Sequence, residues 1–271
     1  MTPSFLNEIT KTSRDMWSKG WAEANAGNIS LRLTAEVVQT NARLFRASDW
    51  VSLPLEVPVL AGEHFLVTGS GRYLRNVEIY PEKNLGVIEL NAMGNAYRAV
   101  WGFKPGGAPT SELTAHLGVH AVRKELSESA ERAVIHTHAP NLIALTNALD
   151  LDTGSLTRLL WQIHAECIVV FSEGVEFIPW MLPGSVEISR ATALALRSRR
   201  AAVWQFHGIV AVGRNLDATF GLIDTIEKAA SIYVRAVAAG GVRNKLSAAQ
   251  LRQLAAKFQV VPDETILAGA K

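Results

Sequence analysis

Segments with strand character and segments with helix character follow one another in this chain without regular alternation. That order restricts the fold more than any other feature of the sequence. A doubly wound parallel sheet needs a helix between successive strands. Here residues 86–90 and 96–101 read as two strands joined around Gly94, with no helix between them. Residues 201–206 and 209–212 read as two more, broken at His207-Gly208. Ile29, Leu31 and Leu33 alternate with polar residues, so 28–33 is a strand. Shorter strands are expected at 65–68, 133–137 and 166–171. Helices are expected at 4–19, from Pro109 to about 126, from Ala139-Pro140, at 186–197 and from 216 to about 239, and Ser247-Ala-Ala-Gln250 is a capping box opening the last one. The stretch 40–58 has no period and reads as loop. This mixture predicts an α/β sandwich built on a mixed or antiparallel sheet.

No Pro/Gly/Ser-rich or charged linker divides the 271 residues, so residues 1–271 are expected to form one domain. Hydrophobic residues make up 48% of the chain, ample for a core, while charged residues are only 19%, which favours an oligomer that buries more surface. The net charge of +2 and the lack of a basic stripe point away from nucleic acid and anionic membranes. The N-terminus has no basic or apolar leader region, and no apolar run approaches a membrane span. One cysteine, Cys167, excludes an internal disulfide. A soluble, cytoplasmic protein is expected.

Chemistry-bearing residues cluster in a few places. In His136-Thr-His138 the two imidazoles lie two apart on a strand and point to one face. They can reach one metal ion, and a packing role is the alternative. His207 can be a third ligand, because Gly208 lets the chain turn sharply beside it. Glu112, His116 and His120 stand at successive i, i+4 positions of a predicted helix. Both of these histidines read as structural: their spacing resembles a helical metal motif, but the H-E-x-x-H arrangement is lacking. Glu112 in the first turn, after Thr110 or Ser111 as cap, is accounted for by the helix dipole, and whether it also acts in function stays open. His64 reads as a surface residue and His164 as ambiguous. Asn25-Ala-Gly-Asn28 and Gly69-Ser-Gly71 are turns that expose N–H donors and can cradle a phosphate without lysine. Each also reads as a plain tight turn.

Taken in order, Asn25-Ala-Gly-Asn-Ile-Ser30, Thr68-Gly-Ser-Gly71, Pro109-Thr-Ser-Glu112, His136-Thr-His138 and Phe206-His-Gly208 resemble the motifs of the class II aldolase/adducin family along nearly the whole chain. The stretches Ala139-Pro-Asn-Leu-Ile-Ala-Leu145, Glu166-Cys-Ile-Val-Val170, Pro179-Trp-Met-Leu-Pro-Gly184 and Thr219-Phe-Gly-Leu-Ile-Asp-Thr225 are similar to the branch that cleaves L-rhamnulose 1-phosphate. Two residues depart from that branch: Ala26 stands where it has glycine, and His164 is outside its pattern.

The resemblance implies a three-layer α/β/α sandwich around a mixed, mostly antiparallel sheet. It implies Zn2+ held by His136, His138 and His207, with Glu112 as the catalytic carboxylate beside it. Asn25, Asn28, Ser70, Gly71, Thr110 and Ser111 would hold the phosphate of a phosphorylated ketose. Glu166 would be contributed by a neighbouring subunit of a homotetramer and act as base at the C4 hydroxyl. The implied reaction yields dihydroxyacetone phosphate and L-lactaldehyde through a metal-stabilised enediolate, with no Schiff-base lysine. Fuculose-phosphate aldolase, ribulose-phosphate epimerase and methylthioribulose-phosphate dehydratase activities share these motifs. An adducin-like binding module without catalysis shares the fold.

Overall fold

Alternation along the strands decides which side chains meet which helices. The computed structural model describes residues 3–127 and 130–269; Met1 and Thr2, the start of the stretch read for a leader, lie outside them. Its strands are β1 (Asn28–Arg32), β2 (Val51–Ser52), β3 (His64–Thr68), β4 (Leu85–Leu90), β5 (Ala96–Gly102), β6 (Ala133–Thr137), β7 (Glu176–Ile178), β8 (Ala201–Trp204) and β9 (Gly208–Gly213). Its helices are α1 (Asn7–Ser18), α2 (Ala35–Asn41), α3 (Pro81–Asn84), α4 (Leu113–Leu126), α5 (Pro140–Ala148), α6 (Thr153–Ile163), α7 (Glu166–Val170), α8 (Val186–Ala195), α9 (Leu216–Ala238), α10 (Ala248–Phe258) and α11 (Glu264–Leu267).

The strands form one sheet in the order β2-β5-β4-β3-β1-β6-β9-β8-β7. Every neighbouring pair is antiparallel except β7 with β8, so the sheet is mixed and mostly antiparallel, as expected. Its edges are short: two residues of β2 at one end and three of β7 at the other, with Pro54 and Pro179 just beyond them.

Ala133 and Ile135 of β6 and Ile209 and Ala211 of β9 face one core, with α1, α5, α6, α9 and α10. Val134, Val210 and Val212 face the other way, against α4 and α8. The same split in β3 sends Leu66 to the first core and Phe65 and Val67 to α4. Period-2 strands with both faces apolar therefore give three layers, helices on either side of the sheet.

Several elements differ from the sequence expectation. Residues 166–171 are helix α7 and its cap, not a strand: Cys167, Ile168 and Phe171 are buried at helical spacing, and a short apolar run fits either structure. Helix α6 went unread because it opens on Asp152 and Ser155, a capping box outside the usual Ser/Thr…Glu/Gln pattern. The 40–58 stretch ends α2 and carries β2, and is otherwise irregular apart from a short 3-10 turn at Ala42–Leu44 and the start of another at Pro58. Ser247 and Gln250 do form their capping box, but α11 follows the helix they open. Among the described residues no helix is long and apolar enough to cross a membrane.

Candidate active site

His136 lies on the α4 side of β6, in step with Val134, and His138 directly follows the end of the strand. Two bonds hold the end of this strand: Thr137 Oγ1 donates to Trp21 O at 2.7 Å, and His138 N to the same oxygen at 3.1 Å. Pro140 then starts α5, whose first N–H groups, from Asn141 and Leu142, donate to the buried Glu227 carboxylate of α9 at 3.0 Å each. His207 sits in the turn between β8 and β9. A Cβ on Gly208 would lie 2.3 Å from Thr137 O, so only glycine lets this turn close onto the end of β6. The Trp204 indole packs against His136 and His207, with ring centroids 4.5 and 5.2 Å away.

These constraints bring the three imidazoles together, with ligand atoms within 4.8 Å of one another. Burial, then neighbouring His138, pushes the His136 pKa down to about 3. Burial, then His136, pushes that of His207 down to about 4. Both rings are thus neutral near pH 7, as metal ligation requires. His136 Nδ1 donates to Ile209 O at 3.1 Å, which leaves its buried Nε2 without a partner. His207 Nδ1 is also buried and unpartnered. His138 Nδ1 donates to Glu23 Oε1 at 2.6 Å, the carboxylate–histidine arrangement that orients metal ligands. Three clustered imidazoles, with a buried unpartnered nitrogen on His136 and on His207, fit a divalent metal ion.

Glu112 occupies the cap position of α4 and not its first turn. Neither Thr110 nor Ser111 caps the helix; Thr110 Oγ1 accepts from Glu112 N at 3.3 Å. The Glu112 carboxylate makes no capping bond either. It turns to the histidines, Oε2 lying 3.6 Å from His136 Nε2 and Oε1 3.9 Å from His207 Nε2. Asn28 Nδ2 donates to Oε2 at 2.8 Å.

A cleft of about 180 Å3 is lined by residues 25–28, 69–71 and 110–112 together with His136, His138 and His207. Asn25, Asn28, Ser70, Gly71, Thr110 and Ser111 therefore share one cavity with the metal-ligand set. Thr110 N donates to Thr68 O and Ser70 N to Ala108 O, which fastens two of these turns to each other. Larger clefts exist, one of about 590 Å3 beside residues 146–152, but it contains no histidine; size alone does not mark the site.

Other candidates fall elsewhere. Glu166 is exposed at the start of α7 and does not line the cleft. His164 is half-buried, its Nδ1 3.8 Å from Cys167 Sγ. His64 is half-buried, its ring stacked against Phe45. Sequence reasoning missed Glu23, Trp204 and Ser30. The polar face of β1 held a signal: Asn28, Ser30 and Arg32 are all buried where an alternating strand ordinarily turns its polar side to water.

Residues 7–234 match the model of the Class II Aldolase and Adducin N-terminal domain. The chain is 46% identical over 259 residues to the rhamnulose-1-phosphate aldolase of Yersinia pestis (strain Pestoides F), an alignment covering 95% of this chain and 94% of that one. Among solved structures it is similar to a sugar-phosphate aldolase from Thermotoga maritima, with a TM-score of 0.76 and 29% identity over 88% of this chain and 96% of the other. It shares the fold of an L-fuculose-1-phosphate aldolase from Thermus thermophilus, with a TM-score of 0.57 and 23% identity over 87% and 96% of the two chains. The matched span carries the sheet, the three histidines and every turn of the cleft, and on these grounds the chain belongs to the class II aldolase and adducin N-terminal domain family.

Proposed function

We propose that this chain is an aldehyde-lyase that cleaves L-rhamnulose 1-phosphate to dihydroxyacetone phosphate and L-lactaldehyde, with zinc as its metal. One observation carries the proposal: three clustered imidazoles, a carboxylate turned towards them and a set of N–H and hydroxyl donors line a single cleft. The 46% identity to the Yersinia aldolase supports the choice of sugar. His136, His138 and His207 would hold the ion, which when bound supplies Lewis acidity to the ketose oxygens.

The remaining work belongs to side chains. No lysine or arginine lines the cleft, so Asn25, Asn28, Ser70, Gly71, Thr110 and Ser111 would bind the phosphate through fixed dipoles. Holding that remote group sets the reacting carbons beside Glu112. Glu112 gives a proton to C3 of the three-carbon fragment in cleavage and takes it back in synthesis. The C4 hydroxyl needs a second base, and Glu166 of a neighbouring subunit is the candidate. It is exposed, as a group acting across a boundary must be before assembly. The working form would then be a cytoplasmic homotetramer of single-domain chains, with no nucleic-acid or membrane partner.

The test is release of dihydroxyacetone phosphate from L-rhamnulose 1-phosphate, with L-fuculose 1-phosphate and other ketose phosphates in parallel. Activity should be greatest on the rhamnulose ester, vanish with a chelator and return with zinc. Preference for another ester would reassign the substrate. No cleavage of any ester by zinc-loaded protein would overturn catalysis and favour a binding module.

A further inference from the structure

From Asn28 in the cleft wall a continuous row of buried polar groups runs inward behind Glu112, to side chains that the proposed reaction does not yet use. Asn28 Oδ1 is 2.5 Å from His116 Nε2, His116 Nδ1 is 2.7 Å from Ser30 Oγ, and Ser30 Oγ is 2.8 Å from His120 Nε2. Ser30 and His116 are 1% exposed and His120 is 0% exposed. The row exists because two periods match. Two residues along a strand advance about 6.6 Å, and four along a helix about 6 Å. Asn28 and Ser30 of β1 can therefore keep pace with Glu112, His116 and His120 of α4.

We propose that His116, Ser30 and His120 are positioning residues: a one-directional hydrogen-bond array that fixes the Asn28 amide and, through it, one oxygen of Glu112. The proposal rests on Glu112 being the proton carrier. Its direction follows from chemistry. An ionised carboxylate only accepts hydrogen bonds, so Asn28 must turn its NH2 to Glu112 Oε2 and its carbonyl to His116. His116 Nε2 must then carry a proton and donate. Burial pushes the His116 pKa down to about 4, so the ring is neutral and its Nδ1 accepts. Ser30 donates to it and in turn accepts from His120 Nε2–H. His120 Nδ1 is left as a bare acceptor, and it is the one ring nitrogen of the array with no partner. The Phe65 ring, 5.0 Å away, closes this end.

Every donor in the array thus points towards Glu112. An amide has two orientations differing by exchange of N and O, and the wrong one would set two oxygens against each other. His116 excludes it. With Oε2 held, Oε1 is the oxygen left free on the cleft side, and it exchanges the proton. A purely structural role would have been met by apolar contacts between β1 and α4, since a buried polar row adds desolvation cost.

The test compares His116→Leu, which cannot hold the Asn28 carbonyl, with His116→Gln, whose amide can donate to it. Three readouts are taken on zinc-loaded protein: cleavage, exchange of the C3 proton of dihydroxyacetone phosphate with deuterated water, and zinc content. His116→Leu should lose about 10–100-fold in kcat and in exchange, with KM and zinc content close to wild type. His116→Gln should recover most of that loss. If His116→Leu does not fold, Ser30→Ala decides, with a smaller fall in both rates at constant KM. Nitrogen-15 NMR of histidine-labelled protein should show both His116 and His120 protonated on Nε2. Wild-type rates in His116→Leu, a Gln variant no better than Leu, a proton on His116 Nδ1, or unchanged rates in Ser30→Ala would each overturn the array. Absence of exchange in wild type would instead overturn the role of Glu112.

Discussion

Glu112 stands where a helix cap ordinarily sits, yet its side chain faces the histidines and Asn28. The two roles have different magnitudes. A carboxylate acting only on the helix dipole contributes about 0.3–1 kcal/mol, whereas losing a proton-transfer group costs roughly 10²–10⁴ in rate. Glu112→Gln keeps the shape and cannot carry the proton. It should fold, hold zinc and bind dihydroxyacetone phosphate, while C3 exchange followed by NMR falls by that larger factor. Exchange at the wild-type rate would return Glu112 to a structural role.

At the scale of elements, the site depends on how β6 hands over to α5 and β8 to β9. Glu227 of α9 accepts from Asn141 N, Leu142 N and Asn141 Nδ2, at the first turn after His138. Glu227→Ala would leave these donors, of which Leu142 N is buried, without their acceptor, a loss of about 1–3 kcal/mol. A lower denaturation midpoint together with weaker zinc retention is expected; a lower midpoint alone would mean that α5 does not position His138. In Gly208→Ala the new Cβ meets backbone, Thr137 O at 2.3 Å, which cannot swing aside. His207 should be displaced and zinc content fall, measured by elemental analysis beside the melting curve. The hairpins and capped helices were legible because period and caps are local signals. Helix α7 was not, since four apolar or small residues after Glu166 carry no period, and α6 was not, since Asp152 and Ser155 cap it unconventionally. The His136–His138 pair was legible from strand spacing. The partnership of Ser30 with His116 and His120 joins residues 86 and 90 apart in the chain, and no local pattern shows which face of β1 a distant helix will cover.

For the whole molecule, buried neutral histidines tie stability to pH. His116 titrates near 4 when folded against an ordinary value of 6.5, and burial also holds His120 well below its ordinary value. Between those values the unfolded chain binds more protons, so stability is complete above about 6.5 and falls as pH drops towards 4. At about 1.4 kcal/mol per unit, His116 alone accounts for a loss on the order of 3 kcal/mol. Urea midpoints across this range, with a chelator present to remove metal competition, should show the decline, and His116→Gln should flatten part of it. Assembly is tested by mixing inactive Glu112→Ala and Glu166→Ala subunits. Partial recovery in hybrids is expected if the site is shared, and none after verified exchange would count against it. The short sheet edges bear on how copies meet. A second chain laid along β2 or β7 would find only two or three backbone rungs before a proline ends the ladder. Edges this short disfavour fibre-like growth through continuous sheets, so any association between copies would have to run through side chains instead of shared backbone ladders.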